Sequence, residues 1–489
     1  MKNILKNCFN IIFLICFGYI LYNAIFKNGV NLFLWNKYIV ISGVIVNIII
    51  SLLTYKYINK KTKINTKLLI PICLAMIFVL QCITGNLFRV SPNWDMKSLF
   101  EGAVSYINGD TSYLSYLYRY SNNMLIQIVL IVLFKISDLI KIISHYDIAM
   151  LFNIIMIDIA LLLTYFVSKK IFDSKKAFII FLSVASVTPI YLFVPIIYTD
   201  TLSMLFPLLI LYLYLTAREK EEVKKKYELY VLMAFAIIIG IGFKFTIMIV
   251  PIAIAIYEIL NRDRKGIISI FTIICIALIM FSIFRVMVIK TVFSPWNNEE
   301  YKKELFPITH WLMMALSDAG KYNDQDVEYT SSFETIEEKK EKNIEVIKER
   351  IKNISFNSIR RKLMYTWGDG TYFAVNTLDY DAINEGFHQE LVFKRGEYHQ
   401  YYQYYTQIQH ITIITLMIIV TLFSIKKEID NIFILRLSIF GLFLFLFIWE
   451  TRSRYLIHYL PIMQIITFAG IEEIYNLIEK IKFRTKLKM

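Results

Sequence analysis

The sequence predicts an all-α polytopic membrane protein, a bundle of about 12 to 13 transmembrane helices with one external loop domain. Its 489 residues are 57% hydrophobic, 16% aromatic and only 19% charged, far too apolar for a water-soluble domain of this length. Apolar runs of roughly 18 to 23 residues, each able to cross about 30 Å of hydrocarbon as a helix, recur almost from end to end. One long hydrophilic stretch, 290–407, lies between two of them.

The net charge of +14 does not imply a nucleic-acid partner, because the basic residues sit in short loops between spans and not on one amphipathic surface. Lys56, Lys60, Lys61, Lys63 and Lys67 form one such loop; Lys169, Lys170, Lys175 and Lys176 form another; Arg218, Lys220 and Lys224 to Lys226 form a third. Arg262, Arg264 and Lys265, then Lys426 and Lys427, then a tail from Lys480 to Lys488 complete the set. This is the pattern of cytoplasmic retention. The cysteines, at 8, 16, 73, 82 and 275, lie in or beside apolar spans without metal-ligand spacing, and no disulfide framework is expected. The first span, 8–26, has a basic start and no small-residue cleavage site, so it reads as an anchor and not as a removed signal peptide.

Each crossing must change side, so placing every strongly basic loop inside poses a parity problem. Spans at 8–26, 38–55 and 68–84 put the segment from Gly85 outside. Of the apolar runs 124–143 and 148–168 only one can then cross, and 124–143, interrupted by Lys135, Asp138 and Lys141, is expected to lie at the interface. The pairs 177–196 with 199–217 and 229–243 with 245–260 go out and back; 267–289 delivers the chain outside, and 408–425, 431–449 and 455–477 finish inside. The expected organisation is three N-terminal spans (1–84), a first external loop (85–147), a central bundle (148–289), an external domain (290–407) and three C-terminal spans with a basic cytoplasmic tail (408–489). Within the external domain, 334–361 reads as an amphipathic helix packed through Ile344, Ile347, Ile351 and Ile354.

Parity also gathers the ionisable groups at span ends onto one face: Asp95, Glu101, Asp200, Lys244, Glu450, Arg452 and Arg454. Charge beside hydrocarbon is costly unless it faces water or a protein cavity, so this one-sided collection from separate chain regions points to a shared site. Carboxylates able to take a proton and cations able to hold phosphate suit transfer from a phosphate-linked donor. Asp95 and Asp200 also precede helical runs and can cap them; Lys244 can snorkel; Arg452 and Arg454 can anchor anionic lipid. Asp369 reads as a turn residue.

Ordered motifs add a resemblance. Pro92-Asn93-Trp94-Asp95, Tyr120-Ser121-Asn122-Asn123, Ile197-Tyr198-Thr199-Asp200-Thr201-Leu202, Gly242-Phe243-Lys244 and Arg452-Ser453-Arg454-Tyr455-Leu456 with Pro461 resemble those of the GT-C glycosyltransferases. These are multispan enzymes that use polyprenyl-phosphate sugars, and the closest likeness is to the bacterial branch related to glycosylphosphatidylinositol and protein mannosyltransferases. Thr309 to Met314 and Thr366 to Thr371 look like external pieces of Gram-positive members. The resemblance implies a GT-C-like bundle in the plasma membrane, with Asp95 as general base, Asp200 near the reacting centre, and Lys244, Arg452 and Arg454 on the donor phosphate. Trp94, Tyr198, His310 and Trp311 are expected to contact sugar or acceptor. The partners implied are a polyprenyl-phosphate-linked sugar, an extracytoplasmic acceptor and membrane lipids. The first loop carries a lone Asp where many relatives carry two acids; a divalent cation remains an option, no metal ligand is singled out, and many relatives need none. A transporter or flippase of lipid-linked sugars, or a polysaccharide polymerase, are the competing expectations; Asp158 is the clear charge inside an otherwise clean span.

Overall fold

The computed structural model describes residues 2–27, 36–60, 64–379 and 382–486. Lys61, Lys63 and Lys488 of the basic loops lie outside them. The described residues form helices, with a single isolated bridge between Val90 and Ala382 and no strand. In chain order the helices begin with α1 (Lys2–Phe26), α2 (Lys37–Lys60), α3 (Thr66–Leu87), α4 (Trp94–Ile107), α5 (Leu114–Arg119), α6 (Met124–Ile140), α7 (His145–Ile171) and α8 (Ser174–Ala185). They continue with α9 (Pro189–Leu192), α10 (Thr199–Leu202), α11 (Leu205–Arg218), α12 (Val223–Phe243), α13 (Ile249–Asn261) and α14 (Arg264–Thr291). Between 298 and 392 lie the short helices α15 (Asn298–Glu304), α16 (Ile308–Ala315), α17 (Asp324–Ser331), α18 (Ile336–Lys352), α19 (Phe356–Trp367), α20 (Ala374–Leu378) and α21 (Phe387–Val392). The chain closes with α22 (His399–Ser424), α23 (Asn431–Ile448) and α24 (Leu460–Lys486).

Among the described residues ten helices are long and apolar enough to cross a membrane. One of them, Ser121–Ile140, has both ends at the same end of the bundle. Asn123 at its start contacts Tyr198. At its far end Phe134 stacks on His145, 4.3 Å between ring centres, and the next residue, Tyr146, donates to the Pro195 carbonyl at 2.9 Å. Pro195 and Tyr198 belong to one short segment, so α6 lies across that end of the bundle. α4 lies beside it, with Gln127 Nε2 donating to the Leu99 carbonyl and Phe100 edge-on to Phe134.

The basic loops meet at the opposite end. Lys2 donates to Asn261, Lys6 to the carbonyls of Ile425 and Lys427, and Lys176 pairs with Glu472, while Lys170 pairs with Glu219 and Lys427 with Glu473. Residues 2 to 473 are thereby tied together by charges that share one face, as the parity argument requires of loops on one side.

Residues 177–196, expected as one continuous span, are not one. α8 stops at Ala185, and Pro189 and Pro195 bracket a short helix and an irregular stretch that cannot complete the backbone ladder. Irregular backbone inside an apolar bundle requires other donors. Buried Asn153 supplies them to the carbonyls of Phe193 and Val194 at 2.9 and 3.0 Å, and Gln81 to that of Ile190. The sequence 334–361 is also broken, into α18 and α19, and the isoleucine stripe does not pack: Ile344, Ile351 and Ile354 are exposed. Polar contacts hold α18 instead. Arg350 bonds both carboxylate oxygens of Asp326, and Lys339 reaches the Lys303 and Leu305 carbonyls.

α22 and α24 pack closely at Gly470, where an added Cβ would lie 2.5 Å from the Leu416 carbonyl oxygen. Backbone cannot yield as a side chain does, so Gly470→Ala should cost about 2 kcal/mol through overpacking. Thermal denaturation in detergent should show a lowered melting temperature for this variant. Gly18→Ala, which enters open space, should not lower it.

Candidate functional site

The residues singled out in the first external loop, the 198–200 turn, the 244 turn and the 450–454 link converge at the end of the bundle opposite the basic loops. α4 begins there, capped by Asn93, whose side chain accepts from the Trp94 amide at 2.5 Å. Trp94 has φ of 49°, a left-handed conformation that a bulky residue adopts only under constraint, and such strain concentrates at functional positions. Asn93 holds the cap position, so Asp95, in the first turn, does not cap the helix. Its Oδ1 accepts from the Tyr116 hydroxyl at 2.9 Å and its Oδ2 from the Tyr198 hydroxyl at 3.0 Å. Asn123 Nδ2 donates to both phenol oxygens, at 2.6 and 3.3 Å. Burial, with the neighbouring charge of Asp95, holds both phenols well above the usual tyrosine range, so they stay protonated donors.

Asp200 does not cap either. The short helix begins at Thr199 with Tyr198 as its boundary residue, and the Asp200 side chain is 1% exposed. It pairs with Lys244, and Arg454 Nε lies 3.6 Å from its other oxygen. The Lys244 ammonium sits 4.8 Å from the Tyr455 ring centre, and the Arg454 guanidinium 5.3 Å from that of Tyr198. Lys244 therefore does not snorkel. The two carboxylates are in different situations: Asp200 is neutralised by cations, and Asp95 receives only neutral hydroxyls.

Every residue of the 450–454 link is held. Glu450 accepts from the Tyr455 hydroxyl at 3.2 Å and faces Arg452 at 3.9 Å, with burial raising its carboxyl above the usual range. Thr451 bonds the carbonyls of Ala319 and Gly320 through its hydroxyl and amide. Arg452 lies over the Phe373 ring at 4.6 Å, and the Ser453 hydroxyl donates to Asp369 at 2.8 Å. Asp369 is a turn residue, accepting from the amides of Thr371 and Phe373, and in addition ties that turn to the link. Tyr372 and Phe373 in this turn have φ of 52° and 64°. Trp94, Asp95, Tyr198, Thr377 and Arg454 line one small cleft, so the carboxylate and the guanidinium face the same space.

Two expected participants stand apart. Glu101 points to solvent beside Lys97. His310 is fully buried, bonded through Nδ1 to Thr330 at 2.8 Å and packed on Phe306. Asp158, the charge noted inside a span, lies within α7. Trp311, by contrast, stands 6.1 Å from Tyr120 and 6.1 Å from Trp449, next to the site. Among the described residues no three His, Cys, Asp or Glu side chains gather to hold a metal.

The reading of the sequence missed Tyr116 as a partner of Asp95. It is one of four tyrosines between 113 and 120, and only the fold distinguishes which of them faces Asp95.

Burial pulls His310 down from 6.5 to about 4. A histidine kept neutral by the fold contributes stability above its unfolded value, and that stability is lost as pH falls from 6.5 towards 4. The loss should amount to about 3 kcal/mol. Denaturation curves between pH 7 and 4 should show a steeper decline for the natural protein than for His310→Gln.

The description "conserved hypothetical integral membrane protein" belongs to the family whose pattern matches residues 1–474. No curated protein matches the chain. With the match running through the N-terminal spans, the convergent polar site and most of α24, the chain is a member of that integral membrane protein family.

Proposed function

We propose that the protein is a glycosyltransferase of GT-C type that moves a sugar from a polyprenyl phosphate to a hydroxyl of an extracytoplasmic acceptor, with Asp95 as general base. The observation that carries this reading is a carboxylate that accepts only hydroxyl hydrogen bonds, Asp95, facing a guanidinium, Arg454, across one cleft at the end of a membrane bundle. Transfer to a hydroxyl needs a base at the nucleophile and positive charge at the leaving phosphate, and these are its two requirements in one place.

In the proposed reaction the acceptor hydroxyl gives its proton to Asp95 as its oxygen bonds to the anomeric carbon. The bond from that carbon to the phosphate oxygen breaks, the electron pair leaves with the polyprenyl phosphate, and the configuration inverts. Tyr116 and Tyr198 orient the carboxylate, one to each oxygen. Lys244 and Arg454, held by Asp200, supply positive charge toward the single negative charge of a sugar phosphodiester. Arg452, only loosely held by Glu450, is placed to meet the second charge that develops on the departing phosphomonoester. Asp200 acts in this reading as a positioning residue. This reading takes the basic-loop face as the cytoplasmic face of a plasma-membrane protein, with both termini there and the site outside, because basic loops tend to be retained in the cytoplasm.

The test is an assay in liposomes with radiolabelled undecaprenyl-phosphate hexoses and a crude envelope acceptor. Asp95→Asn should lower transfer by about 10²- to 10⁴-fold while helicity and melting temperature are kept. Full transfer by that variant assigns the proton elsewhere. Movement of the labelled lipid across the bilayer without transfer would favour a flippase, and transfer of a whole oligosaccharide from a pyrophosphate carrier a polymerase.

A further inference from the structure

A run of aromatic rings leads away from Asp95. Tyr116, which donates to Asp95, contacts Tyr120 with ring centres 5.2 Å apart; Tyr120 stands 6.1 Å from Trp311, and Trp311 is nearly parallel to Trp449, at 20° and 6.1 Å. Trp449 directly precedes Glu450. The four rings come from three separate chain regions, and none is fully buried. Tyr322, 40% exposed, stands close enough to feel the charges of both Asp95 and Glu450.

This wall has the chemistry of a surface for sugar rings. A pyranose presents C–H bonds on its faces and hydroxyls around its edge. The negative faces of aromatic rings attract the former, and phenol and carboxylate groups bond the latter. A hydrocarbon chain calls for a mainly aliphatic groove; Val79, Ile83 and Leu87 line one along α3, beside Asn384, Glu385 and His388. A peptide that binds by adding a strand needs an unpaired strand edge, and the described residues form no strand.

We propose that the wall from Tyr116 through Tyr120 and Trp311 to Trp449 binds the acceptor, and that the acceptor is a saccharide whose hydroxyl is presented to Asp95. The inference rests on the transfer reading and deepens it by naming the acceptor class. Trp311 and Trp449 are binding residues here, distant from the proton transfer and close to the ring that follows the reacting one.

The experiment uses the full chain in nanodiscs and oligosaccharides released from bacterial envelopes by mild acid, with tryptophan fluorescence as the binding signal. Saturable binding is expected, weakened about tenfold in Trp311→Ala and in Trp449→Ala and largely kept in Trp311→Phe, which retains a ring. In the transfer assay the two alanine variants should raise KM for the saccharide with little change in kcat. Absence of saturable saccharide binding by the natural protein, or equal binding by both alanine variants, overturns the proposal. Transfer to peptide or lipid acceptors without saccharide binding sinks this inference and leaves the transferase reading standing. Saccharide binding without transfer does the reverse.

Discussion

The buried ion cluster of Asp200 with Lys244 and Arg454 is the constraint on which the rest of the site depends. Each of these charges alone would be expensive beside an apolar bundle, and removing one partner of such a group typically costs about 3 to 5 kcal/mol because it strands the others. Together they pin three chain regions, the 198–200 turn, the 244 turn and the 450–454 link, to one point. From that point the geometry propagates. Arg454 lies on the Tyr198 ring, Tyr198 donates to Asp95, and Asp95 fixes Tyr116 and, through Asn123, the start of α6. An electrostatic knot thus sets the direction of a carboxylate that is not itself part of it.

The knot is supported from two sides. Below it, the 186–198 segment, whose backbone ladder is broken on either side of α9, is held by buried amides of Gln81 and Asn153 on α3 and α7 and so can still place Tyr198. Beside it, the 290–407 helices grip the 450–454 link one residue at a time, through Gly320, Ala319, Phe373 and Asp369. A charged link that would sample many conformations in water is thereby pre-organised, which is what stabilising a developing charge demands.

Much of this arrangement was legible in the residues. Apolar run lengths mark most of the long helices, and the parity of the basic loops gathers Asp95, Asp200, Lys244 and the two arginines at one end. The failures have local causes. Residues 177–196 have the composition of a span, but Pro189 and Pro195 break the ladder, and hydropathy does not register that. Asp200 stands where a cap would stand, and only the through-space arrival of Lys244 and Arg454 shows that its oxygens are otherwise engaged. The isoleucines of 344–354 have helical spacing without burial, because Arg350, Lys339 and Asn343 dock α18 by polar contacts. His310 is a polar residue in a suggestive motif that turns into its own helix cluster. Nothing in a single sequence states which way a side chain faces.

In the proposed function, Lys244, Arg452 and Arg454 hold a lipid-linked phosphate. Native mass spectrometry of the detergent-purified protein, with undecaprenyl phosphate and uncharged undecaprenol offered at equal concentration, tests it directly. The account predicts retention of the phosphate lipid over the alcohol, and loss of that preference in Arg452→Gln, whose ion pair with Glu450 is the loosest in the site. Equal retention of both lipids by the natural protein, or an unchanged preference in Arg452→Gln, would contradict it.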